Sequence, residues 1–458
     1  MDNDRIDSQS QADIQIQRKI DSFFNQFRIG TLLHRCGIRK RHGYSIRSLI
    51  QIIFALPFTG KNFYRGIVIN EDADVGKDAA YDFLKCPNYN WRQLLLILGL
   101  RVYGVFNRLT SEEREQVLIF DDSTYDRSRS KKVELLSRVF DHCTGRFLRG
   151  FRLLALCWSD GVSCLPLDFA LLSSAESKNR FCESEKRLDK RCCAQRRRQE
   201  AVTKTTAHLV PMVKRILSAG VKAKYLLMDS WFTMPANIIA LREHIDVIGM
   251  VKKTEKVHYN HNGQNRSLKT IYRKIKKRPG RARILGSALV TLKDGKPAKL
   301  VFVRDYRKKD WLALLSTDIH LPDAEVVRIY GKRWDIEVLF KMAKQHLKLT
   351  KEIQCRDFDA LVAHTTIVFM RYIFIAYRVR IESDHRSFGE LFYTCCDELS
   401  DISFVEALYR ILTLSVEQLR EIGTYCEKTA MAFFDLVMQA ALKHVNLSKS
   451  NIHASSGP

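Results

Sequence analysis

The order of apolar and polar positions divides this chain into a helical first part, a strand-rich middle and a second helical part. Before residue 108 the apolar positions predict helices. They cover residues 17–36, 45–56, 77–84 and 90–107. From about residue 115 short apolar runs bounded by turn residues predict strands, interrupted by two helices. The strands cover 116–120, 149–158, 163–172, 225–228 and 247–251, and the helices cover 200–219 and 235–244.

The next segment, residues 252–320, combines basic residues with three further strand-like runs. Its first part, up to Arg283, is strongly basic. The runs that follow are at 282–292, 299–304 and 311–316. Beyond it, Pro322 and Asp323 begin a predicted helix that reaches Leu349, with Asp323 as its N-cap. An apolar helix over 357–380 and three amphipathic helices between 388 and 444 complete the prediction.

Four polar residues lie on one side of the predicted helix that begins at Asp323. Tyr330, Arg333, Glu337 and Lys344 are spaced three, four and seven residues apart. At about 100° per residue they fall within a stripe roughly 60° wide. One interpretation is a solvated face on which Arg333 pairs with Glu337. The other is a functional site, because apolar residues flank the stripe on both sides.

Two of the predicted strands end in aspartate. The run from Gln116 reaches Asp121 and Asp122, followed by Ser-Thr, and the run from Lys224 reaches Asp229, followed by Ser-Trp-Phe. Ligands of α/β sheets gather at the carboxyl ends of strands, so these aspartates meet if their strands are neighbours. Neighbouring strand residues point to opposite faces, so only one of Asp121 and Asp122 faces the site.

Glu337, packed beside these strand ends, would complete a site of three carboxylates. Carboxylates without clustered His or Cys suit Mg²⁺ or Mn²⁺ rather than zinc. Two such ions can bind the attacking and leaving oxygens of a phosphodiester displacement. The pattern therefore indicates phosphoryl transfer on nucleic acid.

Composition adds a strong positive charge to this picture. The 458 residues include 76 Lys and Arg against 51 Asp and Glu, a formal net charge of +25. An excess of this size favours a nucleic-acid partner, although charge alone does not distinguish DNA from RNA or an anionic membrane. The first residues lack the apolar core of a signal peptide, and the apolar segment 365–377 is short and contains Arg371. We therefore expect a soluble intracellular protein.

The spacing of Tyr330, Arg333, Glu337 and Lys344 resembles the Tyr-Arg-Glu-Lys signature of bacterial DDE transposases of the insertion-sequence-four family. The Asp-Ser-Thr run and the Asp-Ser-Trp-Phe run resemble the two aspartate motifs of that family. The resemblance covers roughly residues 75–380 and favours the aspartate directly before Ser-Thr. It therefore implies Asp122, Asp229 and Glu337 as catalytic residues and as ligands of two Mg²⁺ or Mn²⁺ ions.

The fold implied by this resemblance is an α/β ribonuclease-H-like catalytic core, interrupted by a β-rich insertion and flanked by helical N-terminal and C-terminal domains. In such a core the first and fourth strands are neighbours. The helical DNA-end-recognition domain would cover 1–108. The core would cover 109–252 and 321–380, the basic β-rich insertion 253–320, and the C-terminal helical region 381–458.

The activity implied is cut-and-paste transposition through strand cleavage, a hairpin intermediate and strand transfer. The partners would be double-stranded DNA, as terminal inverted repeats and target, and a second copy of the chain in a homodimer assembled on DNA ends. No membrane is implied, and the protein would lie in the bacterial cytoplasm with the nucleoid. Tyr330, Arg333 and Lys344 would bind phosphates. Trp311 would stack on an extruded base, unless it is a core residue of its strand.

Several alternatives stay open at this point. Basic residues at 39–42 and in 178–198 contact DNA or belong to solvated surface. A metal-dependent nuclease on the same fold would cleave DNA without joining ends. A domesticated DNA-binding protein would bind DNA without any metal-dependent chemistry.

Overall fold

The structure, a computed structural model, describes residues 2–40, 42–69, 75–110, 114–142, 144–184, 188–279, 282–305 and 310–381. The chain forms two compact units. One comprises 22–54 and 62–376 and contains the sheet and the candidate site. The other comprises 1–21, 55–61 and 377–458. The predicted helices between 388 and 444 lie outside the described residues, and the predicted domain boundaries stay predictions.

Among the described residues, five α-helices precede the sheet. They are α1 (Asp2–Gln26), α2 (Ile29–Arg35), α3 (Ile46–Ala55), α4 (Lys77–Lys85) and α5 (Trp91–Leu109). The last four lie close to the predicted positions, whereas the first begins well before residue 17. The single helix predicted over 17–36 is divided, because Arg28 adopts a left-handed conformation with φ 46° between α1 and α2. At the start of α5 the Asn90 side chain accepts a hydrogen bond from the backbone N–H of Gln93, as an N-cap residue should.

One sheet of eleven strands occupies the middle of the described chain. Its strands are β1 (Val117–Asp126), β2 (Ser137–Asp141), β3 (Arg146–Ser159), β4 (Cys164–Leu172), β5 (Tyr225–Met228), β6 (Asp246–Val251), β7 (His258–His261), β8 (Gln264–Ser267), β9 (Ile284–Thr291), β10 (Pro297–Asp305) and β11 (Asp310–Ser316). Neighbouring strands follow the spatial order β2-β3-β1-β5-β6-β11-β10-β9-β7-β8. The remaining strand, β4, pairs with β3.

The core of this sheet has the strand arrangement predicted from the sequence. β3 is antiparallel to β1 and β4, whereas β5 is parallel to both β1 and β6. The predicted first and fourth strands, β1 and β5, are therefore neighbours, which confirms that prediction. Helices α6 (Cys193–Ala201), α7 (Leu209–Ser218) and α8 (Pro235–Leu241) lie between β4 and β6 in the chain, and α9 (Leu268–Lys274) follows β8.

Helix α6 overturns the prediction of a basic loop over 178–198 for its last residues. Arg197 and Arg198 are buried in α6 and both pair with Asp359, and Arg198 also pairs with Glu134. Charges held in buried ion pairs are not available to DNA phosphates. The sequence shows only a run of arginines, while their carboxylate partners lie far away in the chain.

The helix predicted over 323–349 is interrupted. Helix α10 (Asp323–Gly331) and helix α11 (Trp334–Gln345) are joined by a tight turn at Lys332 and Arg333. In this turn the backbone N–H groups of Lys332 and Arg333 bond to carbonyls three residues earlier, which is the 3₁₀ pattern. Gly331 precedes the turn and weakens the helix there, since glycine has little preference for helix interiors. Helix α12 (Phe358–Ile381) follows.

Helix α12 is, in the part of the chain that the structure describes, long and apolar enough to cross a membrane. Its most apolar 18-residue window is completely buried inside the protein. A core helix of a soluble protein is also long and apolar, so these two properties are weak evidence that α12 spans a membrane. The helix agrees with the apolar helix predicted over 357–380.

Arg371 on α12 forms the most deeply buried ionic cluster of the fold with Glu352 and His364, whose side chains are all fully buried. Its guanidinium donates to Oε1 and Oε2 of Glu352 at 2.8 and 2.6 Å, and Nε2 of His364 lies 2.5 Å from the same carboxylate. Its further acceptors are the backbone carbonyls of Ile53, Phe54 and Leu347. The cluster thus ties α3 and the segment after α11 to α12.

Replacing Arg371 with methionine is expected to lower the free energy of unfolding by about 3–5 kcal/mol, because the Glu352 carboxylate would lose its buried partner. Urea-induced unfolding near neutral pH measures this difference. The matched control is Lys296→Met, which breaks an ion pair with Glu243 in which both side chains are about half exposed. That change should cost less than about 1 kcal/mol. Equal costs for the two variants would contradict the role given to the cluster.

The same comparison has a defined pH dependence. Burial opposes ionisation of Glu352, but Arg371 and His364 lower its pKa from 4.5 to about 2. A folded-state pKa below the unfolded value stabilises the protein above the unfolded pKa, and this contribution is lost as pH falls towards the folded one. The advantage of the natural protein over Arg371→Met should therefore shrink as pH falls below 4.5. A difference that stays constant would show that Glu352 is not the group involved.

Candidate active site

The ends of β1 and β5 bring two aspartates to the same edge of the sheet. The strands are parallel, with Val117 opposite Tyr225 and Phe120 opposite Met228. The next residues in this register are Asp121 and Asp229. Strand β5 ends at Met228, whereas β1 continues to Asp126. Asp229 therefore begins a turn at the carboxyl end of its strand, beside Asp121.

Short-range hydrogen bonds fix this turn. The backbone carbonyl of Asp229 accepts from the N–H groups of Phe232 and Thr233 at 3.0 and 3.1 Å and from the Thr233 hydroxyl at 2.8 Å. Buried Phe232 packs edge-on against Phe120 of β1, with ring centroids 5.3 Å apart. Gly249 on β6 is needed for this packing, since a Cβ there would lie 2.3 Å from Oγ1 of Thr233.

The turn between α10 and α11 is attached to the same part of the sheet by three side chains. Nζ of Lys332 donates to the backbone carbonyl of Glu115 at 2.6 Å, just before β1. Arg333 donates to Asp121 at 2.8 Å. The Ser159 hydroxyl at the end of β3 donates to Asp335 at 2.5 Å. The interruption of the helix therefore fixes Arg333 against the end of β1.

Arg333 is the centre of a partly buried charge cluster. Its guanidinium binds the carboxylates of Asp121 and Glu337, whose side chains are 14% and 35% exposed. Burial, helped by the nearby Asp122 and Asp229, raises the pKa of Asp121 to about 7, although Arg333 opposes the rise. Burial also opposes the charge of Arg333, but Tyr330, Asp121 and Glu337 raise its pKa above the ordinary value. Negative charge thus remains in excess at this edge despite the arginine.

Tyr330 and Asp229 complete the cluster. The Tyr330 hydroxyl is buried and makes no hydrogen bond of standard geometry to the described residues. Burial raises its pKa, and the carboxylates of Asp229 and Asp121 contribute to the rise. The Asp229 side chain is half-buried, and no hydrogen bond or ion pair within the described ranges engages its carboxylate. The edge therefore contains a tyrosine hydroxyl and a carboxylate that can still accept ligands.

Asp122, the aspartate chosen from the sequence, has a different partner from Asp121. Its carboxylate binds Arg152 of β3, and Arg152 also donates to the backbone carbonyl of Phe140 at 3.3 Å. Asp121 instead binds Arg333. Asp121 is therefore the aspartate of this pair that contacts Arg333 and faces the helix that carries Glu337, and which of the two is catalytic stays a prediction. The reason is the alternation of side chains along β1, which puts neighbouring residues on opposite faces.

The sequence contained only a weak signal for this choice. Residues 117–120 of β1 are all buried, so the apolar pattern shows no alternation from which to extrapolate the direction of Asp121. The direction becomes visible only through the pairing of β1 with β3 and β5 and through Arg333, a partner distant in the chain.

The two other predicted DNA-contacting residues lie outside this cluster. Lys344 is half-buried and lies seven residues beyond Glu337 on α11. Trp311 is the second residue of β11, and its ring stacks on Tyr272 with centroids 4.4 Å apart and an interplanar angle of 22°. Phe302 meets it edge-on at 5.4 Å, and Nζ of Lys253 lies 4.1 Å from its ring centroid. Neighbouring side chains thus surround the Trp311 ring, which matches the alternative of a core residue.

The donor chemistry of the cluster fits a hard divalent cation. Asp121, Asp229 and Glu337 offer carboxylate oxygens and no nitrogen or sulfur ligand, as Mg²⁺ and Mn²⁺ prefer. The guanidinium of Arg333 forms ion pairs with two of these carboxylates. Among the described residues, no group of three His, Cys, Asp or Glu side chains is arranged to hold a metal ion.

Comparison with known proteins agrees with this geometry. A family model described as DDE superfamily endonuclease matches residues 64–305, more than half of the chain. The match includes Asp121, Asp122 and Asp229 but ends before α10 and α11. A search of curated proteins found no match. The sheet order and the family match identify an RNase H-like α/β core and a metal-dependent nuclease activity. The chain therefore belongs to the DDE superfamily endonucleases.

Proposed function

We propose that this protein is a DNA transposase of the insertion-sequence-four type, which cleaves the ends of its element and joins them to target DNA. The observation that carries the proposal is that β1 and β5 end side by side at Asp121 and Asp229, and that Arg333 joins Asp121 to Glu337. Tyr330, Arg333, Glu337 and Lys344 also have the spacing of the Tyr-Arg-Glu-Lys signature.

Asp121, Asp229 and Glu337 are the residues that we assign to divalent cations, with Asp121 taking the place first given to Asp122. Two such ions, when bound, activate the attacking oxygen and stabilise the leaving oxygen of a phosphodiester. The protein would contribute Asp121 and Glu337, which are partly buried beside Arg333, together with Asp229. The pKa of Asp121 is raised mainly by burial and further by Asp122 and Asp229, and added positive charge would favour its ionised form.

Arg333 and Tyr330 are the groups that we assign to the DNA backbone at this edge. The planar guanidinium of arginine matches the geometry of a phosphate and binds it with two charge-assisted hydrogen bonds. The Tyr330 hydroxyl is a buried donor that still needs an acceptor. Lys344 lies on α11, about two turns beyond Glu337, and would contact the next phosphates.

The remaining assignments follow from charge and from the proposed reaction. A net charge of +25 suits a duplex carrying inverted repeats and a target duplex. Joining two ends in one reaction requires two active sites, so we propose a homodimer assembled on DNA ends. The helical part up to residue 108 would recognise the ends, and 253–320 would hold DNA over the site. We place the protein in the bacterial cytoplasm, with the nucleoid.

The experiment that tests the proposal uses purified protein, Mg²⁺ or EDTA, and a labelled duplex that carries the inverted repeat flanking its own gene. We expect nicking at the repeat boundary with Mg²⁺, followed by a hairpin and a joined product when target DNA is added. A scrambled repeat is the matched control substrate and should be neither nicked nor joined.

Two other outcomes would assign different functions. Nicking of the repeat and the scrambled duplex at equal rates, without joined product, would identify a nuclease. Tight binding to the repeat without cleavage in any divalent metal would identify a DNA-binding protein that no longer performs the chemistry. Either outcome would overturn the transposase proposal.

A further inference from the structure

A row of exposed aromatic rings and cations begins beside Asp229 and extends along the β2–β3 hairpin. Trp231, two residues after Asp229, is 50% exposed, and Nζ of Lys252 lies 5.4 Å from its ring centroid. His142 lies next to Trp231, with ring centroids 5.7 Å apart, and is exposed. The row therefore starts at the catalytic edge and leads away from it.

The hairpin continues the row through cross-strand pairs. Phe140 of β2 is directly opposite Phe147 of β3, and their ring centroids are 5.1 Å apart. Phe140 also contacts His142, at 5.0 Å. Phe147 is 57% exposed, and the guanidinium of Arg138 lies 4.0 Å from its ring centroid. Side chains paired across strands two positions apart share a face, so these rings and the Arg138 cation form one surface.

Arg149 and Phe181 form the far end of the row. Arg149 pairs with Arg138 across the strands, and its guanidinium lies 5.0 Å from the ring centroid of Phe181, which is half exposed. Within the described part of the chain, none of Arg138, Arg149 and Lys252 has a carboxylate partner. We call this surface the aromatic row. Its members are Lys252, Trp231, His142, Phe140, Phe147, Arg138, Arg149 and Phe181.

From this arrangement we infer that the aromatic row binds an unpaired stretch of DNA next to the scissile phosphate. Exposed rings interleaved with cations are the usual surface for single-stranded nucleic acid, where bases stack on rings and cations bind phosphates. A paired duplex keeps its base faces covered and cannot use the rings. The absence of carboxylates among the row's members fits an anionic ligand and excludes a basic one.

This inference rests on the proposed function, because it places the row along the path of a strand that leaves the active site. It also accounts for the exposure of Trp231 and Phe147, which the fold of the chain does not require. Trp311, by contrast, is surrounded by Tyr272, Phe302 and Lys253.

The test is DNA binding by the full-length protein, measured by fluorescence anisotropy with EDTA present so that no cleavage occurs. Three labelled probes share one duplex: a blunt duplex, the duplex with a thymine tail, and the duplex with an abasic tail of equal length. Tails on the 3′ and 5′ ends are tested separately. We expect tighter binding of a thymine tail than of the blunt duplex. The abasic tail should give little of this gain, because it retains the phosphates but lacks the bases.

Trp231→Ala should lower the affinity for the tailed probe about tenfold, which is the usual effect of losing one stacked base. The affinity for the blunt duplex should stay nearly unchanged. Trp231→Phe should restore most of the loss. Phe147→Ala gives a second test in a different element and decides the matter if Trp231→Ala does not fold. The control is Val162→Ala, an exposed apolar residue in the turn between β3 and β4, outside the row and outside the parts of the chain assigned to DNA.

Equal weakening of tailed and blunt probes would overturn the inference, since it would indicate a duplex contact or a structural role for Trp231. Unchanged binding of all probes by folded Trp231→Ala and Phe147→Ala would also overturn it. The exposed rings would then be better explained as a contact surface for another protein. Cleavage assays on the same preparations separate the two proposals. Metal-dependent cleavage without tighter binding of the tailed probes would reject only the role of the aromatic row. Tighter binding of the tailed probes without cleavage by the natural protein would reject only the proposed function.

Discussion

Replacing Glu337 with glutamine is expected to abolish metal-dependent DNA cleavage, with a loss of at least about 10³-fold, while DNA binding is largely retained. The amide has nearly the same shape as the carboxylate but no negative charge, so it is a poor ligand for Mg²⁺. In the structure Glu337 pairs with Arg333, and the variant retains an oxygen that can accept from this guanidinium. Cleavage of a labelled duplex and anisotropy with the same duplex measure the two effects.

The chain offers a close control for this substitution. Glu325 on α10 also pairs with an arginine on its own helix, Arg328, and its side chain is 36% exposed, against 35% for Glu337. Glu325→Gln makes the same chemical change outside the charge cluster and should alter cleavage less than about threefold. A Glu337→Gln variant that cuts as well as Glu325→Gln would remove Glu337 from the site.

Asp121→Asn and Asp122→Asn are expected to differ sharply in cleavage activity, although the two residues are neighbours in the chain. Asp121→Asn should lose cleavage by at least about 10³-fold, because its carboxylate faces Arg333 and Asp229 at the catalytic edge. Asp122→Asn should retain cleavage within about tenfold. It instead removes the charge partner of Arg152 and should lower the free energy of unfolding by about 1–3 kcal/mol.

Each member of this pair is the control for the other. The cleavage rate and the urea midpoint are measured for both variants, so that a loss of activity caused by unfolding is recognised. Inactive but stable Asp122→Asn together with active Asp121→Asn would restore the assignment made from the sequence. Two inactive variants of natural stability would mean that both carboxylates reach the reacting phosphate.

The position of the catalytic edge was predictable from sequence, because strand ends have a local signal. Short apolar runs that stop at Asp121 and at Asp229 identify the ends of β1 and β5, and the order of strands and helices suggests that these strands are neighbours. Glu337 could be found from its helical spacing to Arg333 and Tyr330. Each of these signals is local in the sequence.

What the sequence could not provide depends on contacts between distant residues. The choice between Asp121 and Asp122 requires the strand pairing and the position of Arg333. The packing of Trp311 depends on Tyr272, which lies on α9, a helix without a sufficient apolar repeat to be predicted. Arginines 197 and 198 looked like solvated charges because their partner Asp359 is far away in sequence.

The aromatic row was overlooked for a related reason. Strand β2 was not predicted, so nothing in the sequence placed Phe140 opposite Phe147 or brought His142 next to Trp231. The one local signal was the tryptophan directly after Asp229-Ser230, an unusual residue for a turn that opens onto a site of carboxylates.

The most direct test of the central claim is the metal dependence of DNA cleavage by the purified full-length protein. A labelled duplex with the flanking inverted repeat is incubated with Mg²⁺, with Mn²⁺, with Ca²⁺ and with EDTA. We expect cleavage with Mg²⁺ and Mn²⁺ and none with EDTA. The reason is that the three carboxylates assigned to the site act as ligands of a divalent cation, without which they cannot activate the attacking oxygen. Cleavage that continues undiminished in EDTA would contradict the assignment of Asp121, Asp229 and Glu337.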